Sequence, residues 1–232
     1  MNFYEINGIS PRFCHITYRN LFPFHKSVKY PSNRKDYFPI RFMLNVISRD
    51  LILSEHPIMK SGVRILRPSE FKTIKGRITN REKQILVDAL LFTGLRYEEA
   101  LRLRGNPDWF DGNFIHLPEW AQLKAKRKQR ERWVRLSIPG KYVMREFFSI
   151  TVPSRIAFDK WIRYNFPLIE GLSAKTFRKT WESWLLFSYP DKAMEIALSQ
   201  GHTELTQLRH YANLPFLDKD REEMKEFVLG WT

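Results

Sequence analysis

Near the end of the chain Tyr211 follows the pair Gly201-His202 by nine positions, within "GHTELTQLRHYANLPF". A phenol with a free pKa near ~10 is a poor nucleophile at neutral pH, so a cationic field or a base must favour its phenolate before it attacks. Suitable cations stand in three other places. Arg96 lies in "TGLRYEEALRL", Lys175 and Arg178 lie in "KTFRKTWESWLL", and Lys124, Lys126, Arg127, Lys128, Arg130 and Arg132 lie in "KAKRKQRERWVR". Two guanidinium forks match the nonbridging oxygens of a phosphoryl transition state, where negative charge accumulates, and a lysine or histidine beside them can move a proton. Whether His202 and Tyr211 belong to one site with these cations, or are ordinary helix residues, is the question the spacing raises.

Composition agrees with a polyanionic partner. Thirty-nine Lys and Arg against 25 Asp and Glu leave a formal charge of +14, and nucleic acid is the leading explanation for such an excess. Residues 124–135 concentrate it, with seven basic side chains and one acid, Glu131; the segment reads as a phosphate-contacting patch or as a solvated charged face. The single cysteine, Cys14, excludes a disulfide framework or a thiolate metal cluster within one chain and fits a cytoplasmic protein. No segment reaches the roughly 18 apolar residues of a membrane span, so a membrane is not among the expected partners. Asp108 and Asp111 raise a metal-dependent nuclease as an alternative, but no further ligand cluster accompanies them and turn chemistry explains both, so no metal or other cofactor is expected.

The elements that must position these residues are mostly helical. Prolines 11, 23, 31, 39 and 57 break the first 65 residues into short elements, with a helix predicted only over 40–53. After a boundary placed near residue 65, apolar spacing from Asn80 to Phe92 predicts a helix capped by Asn80 and ended by Gly94 in a left-handed conformation. "RYEEALRLR" continues as a second helix packing through Ala100, Leu101 and Leu103. Asp111-Gly112 turns the chain into a strand, "FIHLPEW", whose partner is "RWVRLSI", so the basic cluster sits at or near a hairpin tip. Helices are predicted over 141–164 and over 173–189, the latter entered at Ser173, and a short one ends at Gly201. Met224, Phe227, Val228 and Trp231 form an apolar stripe on a last helix capped by Asp218. The fold class is mainly α with a small antiparallel β-sheet.

In order and local spacing these fragments resemble the tyrosine recombinases, the family of phage, viral and plasmid integrases. There an Arg follows "TG-L", a Lys lies on a β-hairpin, His-x-x-Arg opens a helix, and Gly-His precedes the nucleophilic Tyr by nine residues. "HYANLPF" and "MKEFVLGW" look most like integrases of archaeal viruses and plasmids. The resemblance covers residues 66–232 and implies a tyrosine-recombinase catalytic domain there, with residues 1–65 as an N-terminal extension or reduced DNA-clamping region. It further implies a site-specific recombinase that integrates or excises a mobile element through a 3′-phosphotyrosyl intermediate at Tyr211, without metal or nucleotide. The partners implied are double-stranded DNA attachment sites and a homotetramer of the chain on that DNA, which would make it nucleoid-associated when bound. The alternatives are a noncatalytic DNA-binding protein derived from a recombinase and a relaxing enzyme of type IB topoisomerase kind.

Carried over residue by residue, the resemblance makes Arg96 and Arg178 the phosphate clamp, His202 a hydrogen-bond donor to a nonbridging oxygen, and a hairpin lysine the general acid for the departing 5′-oxygen. Lys124 and Lys126 both precede the turn and share a strand face, with Lys126 the nearer to the turn; Lys128 is a third possibility, better suited, with Arg127, Arg130 and Arg132, to phosphate contact. The chain departs from the family at Lys175, which stands where most members have His and is a less natural proton acceptor at pH 7. His210 reads as structural. Glu99 either holds the Arg96 guanidinium or forms a solvated i, i+3 pair. On one unbroken helix nine residues turn through about 900°, which would set His202 and Tyr211 on opposite faces. If the two share a phosphate, the chain must break between them or the tyrosine must move into place; Gly201 and Thr203 suggest that a helix ends at the first and restarts at the second.

Overall fold

The computed structural model describes residues 56–121, 131–202 and 214–232. The helix predicted over 40–53, the hairpin tip and the segment holding His210 and Tyr211 lie outside them. The described residues form helices α1 (Pro68–Arg77), α2 (Arg81–Thr93), α3 (Tyr97–Gly105), α4 (Ile138–Phe147), α5 (Arg155–Asn165), α6 (Ala174–Ser188), α7 (Ala193–Gln200) and α8 (Asp218–Val228). Strands β1 (Ile58–Lys60) and β2 (Val63–Ile65) pair antiparallel, as do β3 (Phe114–Leu117) and β4 (Arg132–Arg135). The class is thus mainly α with small antiparallel sheets. The sequence predicts only the second hairpin, because three-residue strands carry too little alternation to be recognised.

Two helices organise the rest. In α2 the Asn80 side chain accepts the Lys83 backbone N–H at 2.9 Å, and every residue from Ile85 to Thr93 is buried. In α6, Phe177, Trp181, Trp184 and Leu185 recur at helical spacing and are all buried, which aims one wide face at α2. Where α1, α2, α6 and α8 meet, Phe71 lies edge-on to Trp184 at 6.2 Å and to Phe227 at 5.9 Å, while Phe92 contacts Trp181 at 5.7 Å. Such aromatic pairs add about 0.5–1.5 kcal/mol each to their area burial. The same contacts fix the orientation of α6, the helix that carries Arg178.

The predicted stop at Gly94 is present, with φ at 60°. A methyl group there would also approach Trp181 Cδ1 to 2.9 Å and press on the Gln200 carboxamide. Gly94→Ala is therefore expected to lose ~2–3 kcal/mol from combined backbone strain and overpacking, measured as a lower urea midpoint at unchanged slope.

Three details differ from the sequence reading. The helix predicted over 141–164 is two helices. Pro153 lacks an N–H and pushes the preceding residue toward extended backbone, and Ser154 restarts the helix by accepting the Ala157 N–H at 3.3 Å. At the start of α8 it is Asp220 rather than Asp218 that caps: its Oδ2 accepts the Leu217 N–H at 2.8 Å and pairs with Arg67, while Asp218 is exposed. Finally, residues 58–65, on the N-terminal side of the predicted boundary, pack against α6. Leu66 N–H donates to Thr180 Oγ1 at 2.9 Å and Trp184 Nε1 donates to the Leu66 carbonyl at 2.8 Å.

The stripe on α8 is packed within the chain. Met224, Val228 and Trp231 are buried, and Trp231 Nε1 donates to the Arg135 carbonyl at 3.1 Å. No helix among the described residues is long and apolar enough to cross a membrane.

Candidate active site

Four pieces of backbone converge on one cluster of charge. Arg96 is the residue on which α3 starts, two positions after the Gly94 turn. Arg178 and Glu182 stand one turn apart on α6. Arg132 opens β4. His202 follows Gly201, whose φ of 67° ends α7.

The end of α7 explains the placement of His202. Gly201 N–H donates to the Leu198 carbonyl at 3.1 Å, and His202 N–H reaches back to the Ala197 carbonyl at 2.9 Å. These bonds turn the chain off the helix axis in a left-handed glycine cap, so His202 does not continue the face of α7. The first half of the break expected between His202 and Tyr211 is thus present; the restart at Thr203 falls outside the described residues.

Glu99 is the electrostatic hub. It is fully buried, its Oε1 lies 2.7 Å from Arg96 Nη1 and its Oε2 lies 2.8 Å from Arg132 Nη2. Its Oε2 also accepts the Arg96 backbone N–H at 2.8 Å, which fastens the start of α3. Burial alone would raise this carboxyl, but the guanidinium groups of Arg132, Arg178 and Arg96 together outweigh it and hold it far below the usual carboxylate range. Of the two readings left open for Glu99, the structure selects the one in which it holds Arg96.

Arg178 is 8% exposed. Its Nη1 donates to the Gly94 carbonyl, its Nη2 donates to the Gln200 carbonyl, and that same Nη2 lies 2.9 Å from His202 Nε2. The planar fork therefore ties the α2–α3 turn to the end of α7. Burial first and Arg96 second draw its pKa down, to about 10, against the opposing pull of Glu182 and Glu99. It remains a cation at neutral pH.

Lys175 is exposed on the first turn of α6, on the side shared with Arg178 at i, i+3 spacing. Arg132 departs from its expected place on a phosphate-facing patch: it is 7% exposed, and its guanidinium is engaged by Glu99 and by the Ser199 carbonyl at 3.1 Å. The β-sheet pairing accounts for this, since Arg132 sits opposite the buried Leu117 while Trp133 opposite His116 faces outward. Lys124, Lys126, Arg127, Lys128, Arg130 and Tyr211 lie outside the described residues. Asp111 accepts the N–H groups of Asn113 and Phe114 at 2.8 and 2.7 Å, the turn role its sequence context suggests.

Sequence reasoning missed Glu182. The signal was present: it lies four residues after Arg178, so i, i+4 spacing sets an acid beside that guanidinium on the same side of α6.

Among the described residues the structure thus gathers Arg96, Arg178 and His202 around the buried anions Glu99 and Glu182, an arrangement suited to receive a phosphate. The same fold occurs in an integrase of the Tn1549 transposon, solved in complex with circular intermediate DNA. The two chains align with a TM-score of 0.50 and 13% identity, over 96% of this chain and 82% of that one. A second structure of that integrase, a substituted form also in complex with a circular intermediate DNA, gives a TM-score of 0.48 and 14% identity over 96% and 82% of the respective chains. No protein-family model and no curated protein sequence matches the chain.

Proposed function

We propose that this chain is a site-specific DNA recombinase that cleaves and rejoins strands through a 3′-phosphotyrosyl link at Tyr211. The observation that carries the reading is the convergence of Arg96, Arg178 and His202 from three separate parts of the chain onto one charged cluster. Two guanidinium groups and an imidazole placed together fit the charge that develops on the nonbridging oxygens during in-line displacement. Support also comes from the fold, which is shared with an integrase solved on DNA, and from the charge of +14.

In this reading the Tyr211 oxygen, its proton released to solvent, bonds to the phosphorus as the P–O5′ bond breaks, the 5′-oxygen takes a proton from Lys126 or Lys124, and the phosphotyrosyl ester conserves the bond energy of the broken diester for religation. Lys175, exposed beside Arg178, adds positive charge that favours the phenolate. Arg127, Lys128 and Arg130 contact phosphates flanking the site, and the protein works as a homotetramer on paired attachment sites. The segment ahead of β1 belongs to DNA clamping, and the unit from β1 onward carries the chemistry. The affinity to integrases of archaeal viruses and plasmids rests on "HYANLPF" and "MKEFVLGW" alone.

The test is a duplex of the cognate site bearing a nick beside the cleaved bond, incubated with the protein in EDTA. The short fragment diffuses away after cleavage, and a protein-DNA adduct resistant to denaturation is expected to accumulate. Binding without any adduct would identify the chain as a noncatalytic DNA-binding protein.

A further inference from the structure

Glu182 is fully buried, and among the described residues neither of its carboxylate oxygens receives a hydrogen bond of good alignment. Its Oε2 nevertheless lies 3.2 Å from His202 Nε2, at ion-pair distance. Arg178 Nη2 lies 2.9 Å from that same ring nitrogen. Nε2 thus faces a group that only donates and a group that, ionised, only accepts.

The ring nitrogen has two ways to meet them. If it is unprotonated it accepts from Arg178, and its lone pair then faces the Glu182 oxygen, leaving a buried carboxylate with no donor. If it carries a proton that proton goes to Glu182, and Arg178 Nη2 keeps the acceptor it already has in the Gln200 carbonyl. A buried anion without a donor is far more costly than one guanidinium N–H with an imperfect second contact. The second arrangement satisfies all three groups with a small reorientation of the ring.

Two cations of α6 stand near Glu182: Arg178 one turn before it, and Lys179 on the same helix. Arg96, Arg132 and Glu99 face the cluster from α3 and β4, where Glu99 offsets the two arginines it touches.

We infer that Glu182 is the positioning residue for His202, holding its ring by accepting the Nε2 proton. This rests on the recombinase reading for its consequence, since His202 is the group placed beside the phosphate. A ring whose Nε2 proton is committed to a buried carboxylate exchanges protons with a substrate through Nδ1. Outer-shell groups that orient a metal-ligating histidine change affinity or activity by roughly 10–100-fold when removed, and a change of that order is expected here.

The test has two arms. In the first, long-range ¹H–¹⁵N spectra of the full chain without DNA, with His202 assigned by its loss in His202→Gln, report which ring nitrogens are protonated. Protonation of Nε2 in the wild type, with a changed tautomer balance in Glu182→Ala, is expected; a neutral ring protonated at Nδ1 alone would overturn the inference. In the second, adduct formation on the nicked duplex is expected to slow about 10–100-fold in Glu182→Ala with DNA affinity unchanged. The double variant with His202→Gln should be no slower than His202→Gln alone. Additive losses, or a Glu182→Ala rate equal to wild type, would overturn it. Glu182→Gln, which keeps the shape of the side chain, controls for folding. If the wild type forms no adduct, the recombinase reading fails while the spectra still decide whether Glu182 holds the Nε2 proton.

Discussion

Arg178→Lys is expected to slow covalent adduct formation by about 10²–10³-fold, the loss associated with removing one preorganised donor from a transition-state site. The guanidinium fork reaches three points at once, the Gly94 carbonyl, the Gln200 carbonyl and His202 Nε2. An ammonium keeps the charge but presents a compact point that cannot span two backbone carbonyls on different elements while a further N–H faces the phosphate. DNA affinity, set mainly by many dispersed phosphate contacts, should change only a fewfold. The pair of measurements is a single-turnover adduct rate and a binding isotherm at fixed salt. An affinity loss as large as the rate loss would make Arg178 a binding residue rather than a transition-state one.

Glu99→Gln is expected to cost about 3–5 kcal/mol of stability at neutral pH, the usual result of removing one partner from a buried ion pair. The amide leaves Arg132, buried beside it, and Arg96 without their anion. The pH dependence follows from the sign of the shift. Because folding depresses the Glu99 carboxyl, its contribution is present above the unfolded value near ~4.3 and is lost as pH falls below it toward the folded value. The variant should therefore show a flatter acid limb than the wild type, converging with it at low pH. Asp88, pushed up by burial, acts in the opposite direction, but it is common to both proteins and cancels in the difference. Denaturant melts from pH 7 downward measure this; a constant offset at all pH values would contradict it.

Much of the scaffold is legible in the sequence because its signals are local. Asn80 and Gly94 delimit α2 by side-chain capping and left-handed backbone, Ser173 marks the entry to α6, and Gly201 ends α7. The β3–β4 hairpin follows from alternation, with Ile115 opposite Val134 and both buried. What escapes the sequence depends on contacts between distant segments. Alternation with Val134 sets Arg132 on the inward face of β4, but only Glu99 and the Ser199 carbonyl, from other elements, make that place suitable for a guanidinium. Asp220 supplants Asp218 as the cap because Arg67, far away in the chain, pairs with it. The Arg96–Glu99 pair was one of the two readings its i, i+3 spacing allowed, whereas the contact of Glu99 with Arg132 and that of Glu182 with His202 depend on segments far apart in the chain.

Tyr211 is the nucleophile that the resemblance to the tyrosine recombinases implies. The most direct test of that role is to digest the adduct formed on the nicked duplex and identify the modified peptide by mass spectrometry. A 3′-phosphate linked to Tyr211, with no adduct from Tyr211→Phe, is the predicted result; a link to another residue, or an undiminished adduct from Tyr211→Phe, would contradict it.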